Sequence, residues 1–94
     1  MRIVWAARAV RGLEGIHSYI ARDSRPYADA RVQRILAAVA RLAEYPLSGR
    51  QVPEAGQEMR EIIVRPYRVV YQVRDGSVRI VAVIHSARGR MPRL

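Results

Sequence analysis

The dipeptide Asp75-Gly76 lies between two apolar segments and predicts a tight β-hairpin. A two-residue type I′ turn needs positive φ at both central residues, which aspartate tolerates and glycine adopts freely. We therefore predict strands over Tyr67–Val73 and Ser77–His85, with Val73 opposite Val78 and further pairs following outward from the turn. Strand pairing of this kind fixes which side chains share a face of the sheet.

The predicted register separates an apolar face from a mixed one. The apolar face, which we expect to lie under helices, contains Tyr67, Val69, Tyr71, Val73, Val78, Ile80, Ala82 and Ile84. The reverse face contains Arg68, Val70, Gln72, Arg74, Arg79, Val81, Val83 and His85. We expect this mixed face to be open and functional, with Arg68 diagonally near His85.

Two amphipathic helices are predicted before the hairpin. In the first, over Ala6–Arg22, apolar residues recur at helical spacing from Ala9 to Ile20. The second begins after the capping residues Asp23 and Ser24, with Pro26 in its first turn, and ends at Tyr45 before a proline. A short linker between them favours an antiparallel helical hairpin.

The remaining segments complete a small α+β fold. Arg2–Trp5 and Met59–Val64 have the apolar character of strands, and 46–57 is rich in turn residues and is predicted to be a loop. The predicted order is β-α-α-β-β-β, with the helical hairpin on one face of a mostly antiparallel sheet. At 94 residues we expect one domain spanning 1–94.

Positive charge indicates an anionic partner. Seventeen basic residues, all arginine, oppose eight acidic ones, for a net charge of +9. Such a surplus is typical of proteins that bind nucleic acid, an acidic protein or a ribonucleoprotein. Arg31, Arg34 and Arg41 form a row on the second predicted helix, either as a solvated face or as a partner-binding surface.

Most enzyme classes and metal sites are excluded by the motifs that are missing. The chain has no cysteine, no glycine-rich phosphate loop and no HExxH motif, so we expect neither a metal nor a cofactor. No apolar run approaches the roughly 18 residues of a membrane span, and the start lacks a signal-peptide pattern, so we expect a cytoplasmic protein.

Metal-free RNA cleavage is the one catalytic chemistry for which the sequence offers candidate groups. It would need proton transfer, available from His85, Glu54 or Glu61, and cations near the phosphate, available from Arg60, Arg68 and Arg88. The alternative for His85 is a strand-end histidine that hydrogen-bonds a neighbouring group.

Several segments, in order, resemble the RelE/ParE toxins of type II toxin–antitoxin systems. They are IVW, YIARD, GRQVPE, REIIV, PYRVVYQV and IVAVIHSARG, and they extend from Ile3 to about Arg90. The resemblance implies the same β-α-α-β-β-β fold and a cytoplasmic growth inhibitor, of the kind that stabilises plasmids or chromosomes. It also implies a cognate antitoxin, with acidic residues in its toxin-binding segment, and a toxin–antitoxin hetero-oligomer.

Two mechanisms occur among such toxins. RelE-like members cut mRNA on the ribosome, whereas ParE-like members poison DNA gyrase without catalysis of their own. Arg68 and Arg88 match basic positions found in both branches, and Arg60 could replace a lysine of the nucleases. The GR-x-x-PE pattern at 49–54, the H-x-x-R ending and the lack of a tyrosine after Arg88 favour the ParE branch.

We therefore expect a gyrase inhibitor, and two alternatives stay open. One is a ribosome-dependent endonuclease, for which the catalytic candidates are Arg60, Arg68, His85 and Arg88. The other is a non-catalytic basic module that binds nucleic acid. The candidate partner-binding residues are Arg31, Arg34, Arg41, Arg50, Arg68, Arg74, Arg79, His85 and Arg88.

Overall fold

The computed structural model describes residues 1–56 and 58–87 and contains two helices against one five-stranded sheet. The elements are β1 (Arg2–Trp5), α1 (Ala7–Ala21), α2 (Arg25–Ala40), β2 (Arg50–Gln51), β3 (Met59–Val64), β4 (Tyr67–Arg74) and β5 (Ser77–His85). The strand order is β1-β5-β4-β3-β2, in which β1 is parallel to β5 and the other neighbours are antiparallel. The predicted α+β layout is confirmed, with β2 as an additional short strand.

The helices begin and pack as their sequences predict. The Ser24 hydroxyl accepts a hydrogen bond from the Tyr27 N–H at 3.3 Å and caps α2, whose first turn contains Pro26. The prediction that α2 continues to Tyr45 is wrong. The α-helix ends at Ala40, and the chain tightens into a 3₁₀ turn over Arg41–Ala43 that buries Leu42 in the core.

Most of the apolar core lies between the helices and one face of the sheet. Its fully buried members include Ala9 on α1, Ile35 on α2, Val69 and Tyr71 on β4 and Ile80 on β5. Trp5 and Leu13 pack against this cluster at its margin. We call this face of the sheet the helix side and the reverse face the outer side.

Close contact between α1 and β5 depends on Gly12. A Cβ at this position would lie 2.8 Å from the backbone oxygen of Val83, which is nearer than side chains approach backbone. The missing side chain therefore sets how deeply α1 packs on the sheet.

The hairpin turn is confirmed, and the register is confirmed for only half of its length. Asp75 and Gly76 have φ of 51° and 73°, as a type I′ turn requires. Pairing follows the prediction as far as Tyr71 and Ile80. A β-bulge there leaves Val81 unpaired and makes Ala82 the partner of Val70.

The bulge reverses the predicted faces beyond it. An extra residue on one strand moves each later side chain to the opposite face. Val83, predicted to face outward, pairs with Val69 on the helix side, and His85 pairs with Tyr67 on the same side. Ala82 and Ile84, predicted to lie under the helices, belong to the outer side with Val70.

The outer side is not the open face that the sequence predicted. The predicted loop contains β2 and a 3₁₀ turn over Pro53–Ala55, and the Val52 N–H donates to the Met59 oxygen at 2.9 Å. Val52 and Ala55 are fully buried against a second apolar cluster on the sheet. The other members of this cluster are Met59, Val70, Val81, Ala82 and the half-buried Ile84. Residues 50–56, the covering segment, thus cover the middle of the mixed face.

Candidate functional site

Arg68, the central candidate cation, lies within a network of ion pairs. Its Nε donates to Glu61 Oε1 at 2.6 Å, and its Nη2 lies 4.0 Å from Glu54 Oε2. Glu61 is 2% exposed and also accepts a hydrogen bond from Arg50 Nε at 2.5 Å on its second oxygen. Arg68 therefore lies beside two carboxylates, one of which it shares with Arg50, and its charge is balanced within the molecule.

Strand pairing explains how this network is assembled. Arg50 on β2 is paired with Glu61 on β3, and Arg68 on β4 lies diagonally across from Glu61 on the same face. A buried carboxylate is stable only when its oxygens are hydrogen-bonded and its charge is paired. The network thus anchors the covering segment to the sheet.

Arg60 is held by backbone oxygens at the edge of the helix side. Its Nη1 donates to the Gly49 oxygen at 2.8 Å and to the Leu47 oxygen at 3.3 Å. Its cross-strand neighbour Tyr71 accepts from the Gly49 N–H at 2.9 Å and donates to the Pro46 oxygen at 2.8 Å. Arg60 and Tyr71 together fix the chain that leads into β2.

Gly49 of the GR-x-x-PE pattern has a packing role in this arrangement. A Cβ at Gly49 would lie 2.5 Å from the Glu61 backbone oxygen and 2.6 Å from the Tyr71 hydroxyl. Arg50 and Glu54 of the same pattern belong to the ion-pair network around Glu61 and Arg68. Every charged residue of the pattern therefore contributes to holding the covering segment in place.

His85 lies apart from Arg68. It contacts the ring of Tyr67 edge-on, with centroids 5.6 Å apart, and its Nδ1 accepts from the Ala87 N–H at 3.1 Å. The prediction that Arg68 and His85 share a face is wrong, because the bulge turns His85 to the helix side. Arg88, the fourth catalytic candidate, lies outside the described residues.

Two of the predicted partner-binding residues line a cleft on the outer side. Arg74 and Arg79 line it together with the apolar side chains of Met59 and Val81 and with Arg8 from the first turn of α1. None of these three arginines has an ion pair with a residue that the structure describes. Arg8 was missed, because only the parallel pairing of β1 with β5 brings the start of α1 beside β5.

The three arginines predicted to form a row on the second helix differ in their contacts: one makes hydrogen bonds within the protein, and two are exposed. Arg31 donates to the Arg65 oxygen at 2.8 Å and to the Tyr27 hydroxyl at 2.6 Å. Arg34 and Arg41 are exposed and line a groove between α2 and β3. Arg65 also lines this groove, and nothing in its local sequence separates it from the other surface arginines.

The described part of the chain contains neither a metal-binding group of side chains nor a membrane-spanning helix. Over 1–56 and 58–87, no three histidine, cysteine, aspartate or glutamate side chains are grouped to hold a metal ion. No helix within those ranges is long and apolar enough to cross a membrane.

The chain matches one known protein family over nearly its whole length. A family model described as the ParE toxin of the type II system parDE matches residues 3–89. The chain therefore belongs to the ParE toxin family, as the resemblance to RelE/ParE toxins predicted. Membership in such a system implies an antitoxin partner.

Two proteins and one solved structure are similar to this chain over most of its length. The chain is 38% identical over 87 residues to Toxin RelE2 of Caulobacter vibrioides, covering 93% of this chain and 97% of that protein. It is 42% identical over 87 residues to Y4kP of Sinorhizobium fredii, covering 90% and 88% of the two chains. A solved chain of the chromosomal ParDE system from P. aeruginosa has the same fold, with a TM-score of 0.78 at 20% identity, covering 90% of this chain and 95% of that one.

Proposed function

We propose that this toxin arrests growth by binding DNA gyrase and does not cleave RNA itself. The observation that supports the proposal is the separation of the nuclease candidates. Arg68 is paired with Glu61 on the outer side, His85 contacts Tyr67 on the helix side, and Arg60 is bound to backbone oxygens. The match to the ParE family model supports the same branch.

RNA cleavage without a metal needs these groups to converge. A base must reach the 2′-hydroxyl, an acid must reach the leaving oxygen, and cations must surround the phosphate, all within hydrogen-bond distance. Arginine stays protonated and cannot act as the base. With His85 on the other face of the sheet from Arg68, the described residues do not form such a centre.

The cleft lined by Arg8, Arg74 and Arg79 supplies the contact surface in this proposal. These arginines have no carboxylate partner among the described residues, so their charges are available to an acidic surface on gyrase. Surface complementarity of this kind raises association rates and specificity. Gyrase inhibition would then depend on binding alone.

The test measures supercoiling and DNA cleavage by purified gyrase at increasing toxin concentration. We expect supercoiling to be lost and cleaved DNA to be trapped. The paired variant Arg74→Glu with Arg79→Glu should need at least about tenfold more protein for the same effect, which equals about 1.4 kcal/mol of binding. Arg11→Glu with Arg25→Glu, on the exposed helix surface, makes the same change in net charge and is the control.

Gyrase activity that stays unaffected across a broad concentration range of toxin would overturn the proposal.

The second candidate function, a ribosome-dependent endonuclease, is favoured by one observation, the 38% identity to a protein named Toxin RelE2. It predicts codon-phased cuts in translated mRNA after toxin induction, lost in His85→Ala. Mapping transcript ends in induced cells, alongside the DNA-damage response, separates the two functions.

A further inference from the structure

The cleft on the outer side of the sheet has the size of a small-molecule site. We call it the Arg74–Arg79 cleft, and its volume of about 450 Å³ falls within the roughly 300–1,000 Å³ of ligand pockets. Ala6 and Gly56 contribute little side-chain bulk to its lining, which leaves the cleft open. Its other lining residues are Arg8, Met59, Gln72, Arg74, Arg79 and Val81.

Strand pairing sets the positions of these side chains relative to one another. Met59 on β3 is opposite Gln72 on β4, and Gln72 is opposite Arg79 on β5, so the three form one row across the outer side. Arg74 lies two residues beyond Gln72 on β4 and diagonally across from Arg79, and such positions are about 7–8 Å apart. Side chains as long as arginine can therefore converge on one anionic group.

The cations of the cleft have no internal anion. Arg8, Arg74 and Arg79 make no ion pair with any residue in 1–56 or 58–87. Glu58, just before β3, and Asp75, just after β4, do not line the cleft. Three like charges around one space repel one another, and an anion with several negative charges would relieve that repulsion. Guanidinium groups suit phosphate in particular, because their planar fork donates two hydrogen bonds at once.

The Gln72 side chain adds an uncharged group that can recognise a ring. It is half-buried, and its amide makes no hydrogen bond to another described residue. An amide donates and accepts side by side, which matches the paired donor and acceptor on the edge of adenine. Met59 and Val81 are mostly buried, and their side chains add an apolar surface to the same lining, where a methionine sulfur packs well against aromatic rings. The cleft thus combines contacts for a base with cations for phosphates.

We propose that the Arg74–Arg79 cleft binds a free nucleoside triphosphate such as ATP. The base would pack on Met59 and hydrogen-bond to the Gln72 amide, while the phosphates would contact Arg74 and Arg79. Inorganic triphosphate would use only the cations, and a bare nucleoside would use only the base contacts. This claim does not depend on the proposed action on gyrase, although a bound nucleotide would occupy the same arginines that are proposed to contact gyrase.

The first experiment measures the Kd of the full-length wild-type toxin for ATP, inorganic triphosphate and adenosine, by calorimetry at about 0.15 M salt. We expect ATP to bind with a Kd below about 0.1 mM and at least about tenfold more tightly than either of its parts. Absence of ATP binding would overturn the proposal. Equal affinity for ATP and inorganic triphosphate would also overturn it, because the cleft would then bind anions without recognising a base.

NMR of the same toxin locates the ligand without any variant. ATP should shift the methyl signal of Met59 and the side-chain amide signals of Gln72, with the same concentration dependence as the calorimetry. Shifts confined to residues outside the cleft would contradict the assigned site.

Arg74→Gln with Arg79→Gln tests the phosphate contacts, and we expect at least about tenfold weaker ATP binding. The control, Arg11→Gln with Arg25→Gln, removes the same charge from exposed helix positions and should change the Kd less than about threefold. Equal losses in the two pairs would show that only net charge matters and would overturn the cleft as the site.

Gln72→Leu tests recognition of the base, since it nearly keeps the size of the side chain and removes the amide. ATP binding should weaken at least about fivefold, while binding of inorganic triphosphate should stay within about twofold of the wild type. A Gln72→Leu toxin that binds ATP as tightly as the wild type would contradict the assigned base contact.

A short single-stranded oligonucleotide separates a free nucleotide from a nucleic acid chain, and we expect it to bind no more tightly than ATP. An oligonucleotide that binds at least about tenfold more tightly, and loses affinity in the Arg74→Gln with Arg79→Gln variant, would make a polynucleotide the ligand and overturn the proposal. Gyrase inhibition is scored in a separate assay, so either proposal can fail alone.

Discussion

The two sides of the sheet are stabilised in different ways. The helix side has a broad apolar core in which Ile35, Tyr71 and Ile80 are fully buried under two helices. The outer side has a small apolar cluster under the covering segment, which has little regular structure. The ion pairs of Arg50 and Arg68 with Glu61 hold this segment on the sheet.

This difference separates arginines that stabilise the fold from arginines available to partners. The cations nearest the covering segment are balanced by internal carboxylates. Those at the Arg74–Arg79 cleft have no ion pair with any residue that the structure describes. A basic face is therefore not by itself an anion-binding site. The location of the carboxylates decides which cations are available.

The sharpest test of this comparison is Glu61→Gln. It leaves Arg68, whose side chain is 20% exposed, without its nearest carboxylate, and we expect the free energy of unfolding to fall by about 3–5 kcal/mol. Denaturant unfolding measures the change. Glu44→Gln, on an exposed position, is the control and should change stability by less than about 0.5 kcal/mol.

A paired replacement then tests the role of Arg68. Glu61→Leu with Arg68→Met removes both buried charges together, and we expect it to recover most of the lost stability. If this folded double variant still inhibits growth, the role of Arg68 is to stabilise the fold and not to contact the target. Loss of toxicity in a stable double variant would contradict the structural role and favour a direct contact with the target.

Tyr71→Phe tests the polar contact that joins the helix side to the chain entering β2. The phenylalanine leaves the buried Gly49 N–H and the Pro46 oxygen without their shared hydroxyl, so we expect a loss of about 1–3 kcal/mol. Thermal unfolding measures it against Tyr45→Phe, whose ring is exposed. A loss no greater than that of the control would show that water replaces the hydroxyl.

Local sequence signals predicted the helix side well. Helical spacing from Ala9 along α1, the Ser24 cap and the Asp75-Gly76 turn all depend on residues near one another in the chain. They correctly predicted the helices, the hairpin and the α+β fold. Arg31 and Arg34 were also correctly placed on the surface of α2, whereas Arg41 lies in the 3₁₀ turn that follows it. The contact of Arg31 with Arg65 was not foreseen.

The outer side could not be predicted in the same way, because it depends on contacts between distant segments. The bulge at Val81 has no signature in a run of apolar residues, yet it moves His85 away from Arg68. The turn-rich segment 46–57 carried no pattern to show that Val52 and Ala55 would be buried. Carboxylates such as Glu61 were considered as catalytic groups, whereas the fold uses Glu61 as an anchor.

Two glycines in α1 test how tightly the helix side is packed. Gly12→Ala places a Cβ against the backbone oxygen of Val83, and we expect it to cost about 1–2 kcal/mol by overpacking. A Cβ at Gly15 would meet no heavy atom within 4 Å, so Gly15→Ala should stabilise by about 0.5–1 kcal/mol. Denaturant unfolding measures both changes in the free energy of unfolding. Equal changes for Gly12→Ala and Gly15→Ala would contradict the close approach of α1 to β5.

The smallest expected effect lies on the solvent side of the helices. His17 Nε2 contacts Asp29 Oδ1 at 2.7 Å and joins α1 to α2, but the Asp29 side chain is 67% exposed. Water screens such a pair, so His17→Asn should lower the free energy of unfolding by less than about 1 kcal/mol. A double-mutant cycle with Asp29→Asn isolates the interaction, and a coupling as large as the Glu61 effect would show that surface pairs, rather than the buried network, hold this fold together.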